Sequence, residues 1–166
     1  MIIGHGDIGQ ALKPVDRENF IFFASGVSNS QEKAESAYNR EMSLLEEQDK
    51  IKHLVYFSSL AVFYEQTRYV QHKIEMEELV KRRFASYTIV RLGNIAWGKN
   101  PHTLINYLRN RAKQGLQLKI LPVYRYIVEK EEFLHWMKMI PDWSCEMNIP
   151  GRRLKVADIV KEYCNG

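Results

Sequence analysis

Cysteine is scarce in this chain, with Cys145 and Cys164 the only two. Two thiols cannot build a disulfide framework, and neither has a partner at metal-ligand spacing, so secreted disulfide scaffolds and zinc modules are excluded. A reducing cytoplasm is the expected compartment. The histidines (His5, His53, His72, His102, His135) share no ligand spacing either, so no metal site is expected. Long apolar runs are missing: none approaches the roughly 18–20 residues that span a bilayer, and no membrane association is expected. The opening Met1-Ile2-Ile3-Gly4 lacks the basic segment and long apolar stretch of a secretory signal. Nine glycines and five prolines exclude collagen-like and linker-rich classes, and there is no internal repeat.

What is present suits one globular domain. The 166 residues are 45% hydrophobic and 27% charged, and a chain of this size buries roughly 70% of its unfolded surface. The net charge of +4 is unevenly spread. From Lys99 to Arg125 there are six basic side chains (Lys99, Arg109, Arg111, Lys113, Lys119, Arg125) and no acid. Such a stripe suits an anionic ligand, for example a diphosphate. The other reading is a solvated face whose balancing acids lie elsewhere in space. Only Tyr107 and Tyr124 are interleaved with it, too few aromatics for a base-stacking platform, which argues against nucleic acid as a partner.

Apolar runs alternate with amphipathic stretches. Asn19–Ala24 and His53–Phe57 read as strands buried on both faces, and Tyr87–Leu92 as a third. Gln31–Gln48, with Ser30 as N-cap, and Thr67–Arg83 read as helices, as does the stretch from Pro101 to Gln114 ahead of Gly115. Shorter elements follow: a strand at Tyr124–Val128, a helix at Lys130–Met139, a segment at Cys145–Ile149 and a helix at Lys155–Tyr163. Strands alternating with helices predict an α/β fold with a parallel sheet. Such sheets bind ligands at the carboxyl ends of their strands. Gly4–Gly9, Ser25-Gly26, Ser58-Ser59 and Gly93-Asn94 follow strand candidates and are expected to converge on that rim.

Two motifs there carry chemistry. Gly4-His5-Gly6-Asp7-Ile8-Gly9 is a G-x-G-x-x-G, whose glycines permit a tight turn and close approach to a pyrophosphate; the plain alternative is a glycine-rich turn. Tyr69 and Lys73 lie four apart on one helix face. A nearby ammonium favours the phenolate, which makes Tyr69 a candidate acid/base. Tyr126 and Lys130 repeat the spacing, but start on a strand with no serine strand end before it. Ser58 and Ser59 end the strand that precedes Tyr69, where a hydroxyl could polarise a carbonyl or merely satisfy backbone groups.

The order of these pieces resembles the extended short-chain dehydrogenase/reductase family, in its nucleotide-sugar epimerase/dehydratase branch. The matching residues are Gly4–Gly9, Phe22–Gly26, Tyr38-Asn39, Leu54–Phe63, Tyr69-x-x-x-Lys73 and Val90–Gly98. The resemblance implies a reduced Rossmann-like three-layer fold. Residues 1–98 would form the cofactor and catalytic part, and 99–166 a reduced substrate side. It places the catalytic roles on Ser59, Tyr69 and Lys73. NAD or NADP would be held by Gly4, Gly6, Asp7, Ile8, Gly9, Ala24, Ser25, Gly26, Ser58 and Lys73. Asn39 and Asn94 would meet a nucleotide sugar, with Arg109 of the basic stripe offered to its diphosphate, and the activity implied is an oxidoreductase or epimerase/dehydratase.

One departure is large. Only Gln10 to Asn19 separate the glycine loop from Phe20, where the family has a helix, two strands and their connections. In the order 3-2-1-4-5-6 the missing strands 2 and 3 form one edge, so the rest stays contiguous. The adenosine-ribose contact goes with them. Strand 1 becomes the edge, open to a second copy of the chain. A right-handed crossover toward strand 4 is expected to move the first helix to the other sheet face and turn the glycine loop away. The alternative function is therefore a non-catalytic binding or regulatory protein on a degenerate dehydrogenase scaffold.

Overall fold

A computed structural model describes residues 1–165. The elements run β1 (Ile2–Ile3), α1 (Asp7–Leu12), β2 (Phe20–Phe23), α2 (Glu35–Glu46), β3 (His53–Ser59), α3 (Arg68–Arg83), β4 (Tyr87–Leu92), β5 (Asn94–Ile95), α4 (Leu104–Lys113), β6 (Tyr124–Val128), α5 (Lys130–Lys138), β7 (Cys145–Ile149), β8 (Arg152–Lys155) and α6 (Val156–Tyr163). Short 3-10 turns follow α1 at Lys13–Val15 and β3 at Leu60–Phe63.

The main sheet is parallel throughout, in the order β1-β2-β3-β4-β7. This is the contiguous remainder expected when two edge strands are absent. All four residues of β2 are buried, as are the first six of β3, because helices cover both sheet faces. Alternate residues divide the core in two. Phe20, Phe22, Val55, Phe57, Val90 and Leu92 face α1 and α5. Ile21, Phe23, Leu54, Tyr56 and Ile89 face α2 and α3. A second sheet, β5-β6-β8, pairs β5 parallel and β8 antiparallel to β6. Its Ile127 packs with Ile105 and Leu108 of α4 and Ile159 of α6.

Helix starts are set by side chains that the periodicity does not weigh. Thr67 caps α3 by accepting the amide of Val70. Ser30 does not cap α2. Glu32 instead accepts the amides of Lys33 and Ala34, and the helix begins at Glu35. β5 and β8 were not foreseen; a two-residue strand and Arg152-Arg153-Leu154-Lys155 carry almost no apolar pattern.

The expectation about the first crossover is corrected. α1 lies with α5, on the face opposite α2 and α3. Strand–crossover–strand units are right-handed by rule, which assigns that hand to the α2 and α3 units. The α1 unit steps the same way along the sheet on the other face, so it has the opposite hand. Burial explains the choice: Ala11, Leu12 and Val15 join Phe133, Met137 and Ile140 in one cluster. Arg17 then donates to the carbonyls of Met137 and Ile140, with its guanidinium 3.9 Å from the Phe20 ring centroid. α1 thus keeps the face that a connection toward the absent strand would use, and the glycine loop stays at the rim.

Candidate active site

The carboxyl ends of β1 to β4 gather the polar segments as topology requires. Gly4 needs its φ of +116° and its lack of a side chain, since a Cβ there would lie 2.4 Å from the Ala24 carbonyl oxygen. Ala24 in turn donates its amide to the Ile3 carbonyl. A Cβ on Gly9 would meet the Gly4 carbonyl oxygen at 2.5 Å, whereas Gly6 faces open space. Ile8 packs on the α1–α5 core. Ser25 accepts from Arg40.

A strap crosses this rim. The Asp7 carboxylate accepts the amides of Lys99 (3.0 Å) and Asn100 (2.9 Å), and the Asn100 side chain donates to Ser28 (3.1 Å). Gly98 makes the approach feasible: its φ is +93°, and a Cβ would fall 2.0 Å from the Asp7 carboxyl carbon. The Trp97 indole donates to the Asp7 carbonyl. The segment Gly98–Asn100 therefore links the glycine loop to the loop after β2.

Ser59, Tyr69 and Lys73 are brought together. Ser59 ends β3, and its hydroxyl accepts the Ala61 amide. Tyr69 and Lys73 stand one turn apart on α3, with the ammonium 5.5 Å from the Tyr69 ring centroid. Burial pushes the Tyr69 phenol up; the charge of Lys73 and the Ser59 hydroxyl pull it down without cancelling the rise. Tyr69 is thus held protonated at neutral pH, in the state of an acid.

Sequence reasoning missed the strongest feature of the site, Glu41 on α2. Its carboxylate is fully buried and accepts four donors: the Val27 amide (2.7 Å), the Tyr56 hydroxyl (2.6 Å), His72 Nε2 (2.9 Å) and Lys73 Nζ (3.3 Å). Lys73 also donates to the Tyr56 hydroxyl at 3.2 Å. Burial alone would raise the Glu41 carboxyl; the Lys73 ammonium and the bonds from His72, Tyr56 and Val27 outweigh it and hold it well below the usual carboxylate range. Burial opposes the charge on Lys73, but Glu41 holds the ammonium above its ordinary value. A Cβ on Gly26 would lie 2.9 Å from both Glu41 Oε1 and Lys73 Nζ, so only glycine leaves this pair undisturbed. The one available signal was a lone Glu on a helix face otherwise lined by Tyr38 and Leu45, which charge patterning treats as solvated.

Other candidates are differently engaged. Ser58 donates to Glu77 (2.5 Å), which also binds Arg91. The Asn94 side chain donates to the Tyr126 carbonyl. Asn39 is exposed on α2, and Arg109 donates to the Tyr163 carbonyl at 2.8 Å, tying it to α6. Among the described residues, none of the six cations from Lys99 to Arg125 forms an ion pair.

No protein-family profile and no curated protein sequence matches the chain. Solved structures do. The Bordetella bronchiseptica enzyme WbmG in complex with NAD aligns with a TM-score of 0.64 at 13% identity, over 93% of this chain and 60% of that one. The UDP-glucose 4-epimerase of Thermus thermophilus in complex with NAD gives 0.63 at 15%, over 92% and 62%. RMD from Pseudomonas aeruginosa complexed with NADPH gives 0.63 at 15%, over 86% and 63%. The chain therefore has the Rossmann-like fold of these nicotinamide-bound enzymes, as the sequence resemblance implies, and spans about three fifths of their length. Among the described residues, no helix is long and apolar enough to cross a membrane.

The fold raises the question of a nicotinamide dinucleotide. Ser59, Tyr69 and Lys73, to which the resemblance assigns the nicotinamide, converge at the end of β3, with Lys73 hydrogen-bonded to Glu41 and Tyr56. At the adenosine end the residues do not fit. Asp7 fills the space beside the glycine loop with a carboxylate, and β1 has no strand beyond it among the described residues to carry a ribose contact.

Proposed function

We propose that the chain is an oxidoreductase- or epimerase/dehydratase-like protein that acts on a nucleotide sugar. The observation that carries this reading is the convergence of Ser59, Tyr69 and Lys73 at the carboxyl end of β3, on the fold shared with the nicotinamide-bound enzymes above. In this reading the protonated Tyr69 phenol donates to a sugar oxygen as charge develops there. Ser59 orients that oxygen, and the Lys73 ammonium stabilises the phenolate that remains. The cations from Lys99 to Arg125, which form no ion pair among the described residues, offer charge to a diphosphate. A redox step would need a nicotinamide to exchange the hydride, and the adenosine end of this site does not fit the dinucleotide that would carry it.

The test combines binding and turnover. Purified protein is titrated with NADH and NADPH, and screened with UDP-sugars in the presence of the nicotinamide that binds. Turnover that disappears in Tyr69→Phe, with folding intact by circular dichroism, supports the proposal. Turnover retained in that variant overturns it. A second reading, a non-catalytic binding or regulatory protein on this scaffold, is favoured by the engagement of Lys73 with Glu41 and Tyr56. Ligand binding without nicotinamide affinity at millimolar concentration would select it.

A further inference from the structure

We propose that Glu41 is a positioning residue of this site, whose carboxylate draws the Lys73 ammonium into the α2–β3–α3 interior and so limits how strongly Lys73 acts on Tyr69. The inference rests on the reading of Ser59, Tyr69 and Lys73 as one site, but its test does not depend on turnover.

The geometry is specific. Lys73 could lie against either of two phenol rings, and its nitrogen stands 5.3 Å from the Tyr56 centroid and 5.5 Å from that of Tyr69. Its two hydrogen bonds both go inward, to Glu41 Oε1 and the Tyr56 hydroxyl. The carboxylate is itself fixed from three further directions: the loop after β2 through Val27, β3 through Tyr56 and α3 through His72. With Nε2 donating to Glu41, His72 Nδ1 is left buried and without a partner. The ring packs at 4.5 Å from the Tyr38 centroid, so it cannot turn to another acceptor without leaving Glu41. The ionisable groups facing Lys73 are thus Glu41, Tyr38, Tyr56 and Tyr69, with His72 one step behind; Glu77 acts on Tyr56 from α3, and Glu65 acts on Tyr69.

Charge then sets the direction. An ammonium lowers a neighbouring phenol's proton affinity, and a carboxylate raises it. Lys73 and Glu41 act on Tyr69 in these opposite senses. Removing the Glu41 charge, with Lys73 still protonated, exposes Tyr69 to an uncompensated cation. The residue thereby chooses between two states of the site: Tyr69 as a protonated acid when Glu41 is present, and Tyr69 as a readier base when it is neutralised.

The test reads the phenol directly. Difluorotyrosine is placed at position 69, and its ionisation is followed by fluorine NMR in the full-length protein carrying Glu41, Glu41→Gln or Glu41→Asp. The expected result is that Glu41→Gln lowers the titration midpoint by at least about one pH unit, a tenfold loss of proton affinity. Glu41→Asp keeps the charge but withdraws it by one methylene, and is expected to give a smaller shift in the same direction. If Glu41→Gln does not fold, the aspartate variant decides alone. An unchanged or raised midpoint in a folded variant overturns the proposal. A lowered midpoint in a protein with no turnover on any nucleotide sugar leaves this inference standing and removes the catalytic reading.

Discussion

The buried Glu41–Lys73 pair makes the stability of this protein sensitive to pH at both ends. Removing one partner of a buried ion pair costs about 3–5 kcal/mol, because the other charge is left uncompensated. The Glu41 carboxyl is depressed in the fold from an ordinary value of 4.5. A depressed carboxyl contributes stability above its unfolded pKa and loses it as pH falls toward the folded value. Urea unfolding is therefore expected to show wild type well above Glu41→Gln at pH 7, with the gap closing as pH drops below about 4.5. A gap independent of pH would show that the carboxylate charge is not what stabilises. Lys73 and Tyr56 are both raised, so their contribution is present below their unfolded values and is lost as pH climbs through the raised ones. A second residue-scale expectation concerns Gly98, whose φ is positive and whose Cβ position is filled by the Asp7 carboxyl. Gly98→Ala should cost about 1–3 kcal/mol in backbone strain and change Trp97 fluorescence, since that indole reports on the Asp7 loop. None of this was visible in the residue order: Glu41 and Lys73 are 32 positions apart, and only the packing of α2 on α3 makes them one unit.

At the scale of elements, the first crossover is where local rules and tertiary burial part. Right-handed connection is a strong rule because a twisted strand feeding a helix packs back most easily on one side. Here α1 is six residues long and is held by what it packs on rather than by its own length. Phe133 and Met137 of α5 are fully buried in the cluster that contains Ala11 and Leu12. Met137→Ala is expected to destabilise the fold by about 2–5 kcal/mol. Hydrogen exchange should show α1 losing protection together with α5 and ahead of α2 and α3. Loss of protection confined to α5 would mean that α1 is held by the sheet alone. The strands β2, β3 and β4 were legible in sequence because parallel strands buried on both faces read as continuous apolar runs. β5 and β8 were not, since their pairing is imposed by β6 and not by any pattern of their own.

For the molecule as a whole, no strand lies beyond β1 among the described residues, and the site is correspondingly uneven. In the proposed reading Ser59, Tyr69 and Lys73 would face the nicotinamide, and no strand beyond β1 among the described residues would carry the adenosine ribose. The adenosine half of a dinucleotide should therefore add little affinity. We expect NADH and reduced nicotinamide mononucleotide to bind within about threefold of each other, a difference under ~1 kcal/mol. Isothermal titration of both ligands checks this, and NADH binding tighter by orders of magnitude would show that the adenosine finds protein contacts. β1 also leaves its outer edge unpaired among the described residues, but it is two residues long, so an added strand of a second copy would gain few hydrogen bonds. Sedimentation across a concentration series tests that edge for self-association.

The residue order by itself determined the α/β class and the parallel core strands, because both rest on short-range pattern, apolar runs alternating with amphipathic stretches; Ser59, Tyr69 and Lys73 were singled out by the family resemblance rather than by spacing alone. Tertiary structure alone decided the face that α1 covers, the strap from Asp7 to Asn100 and Ser28, and the capture of Lys73 by Glu41. Those depend on which distant surfaces are left to be buried and on which buried charge finds its partner, and neither quantity exists until the chain has closed on itself.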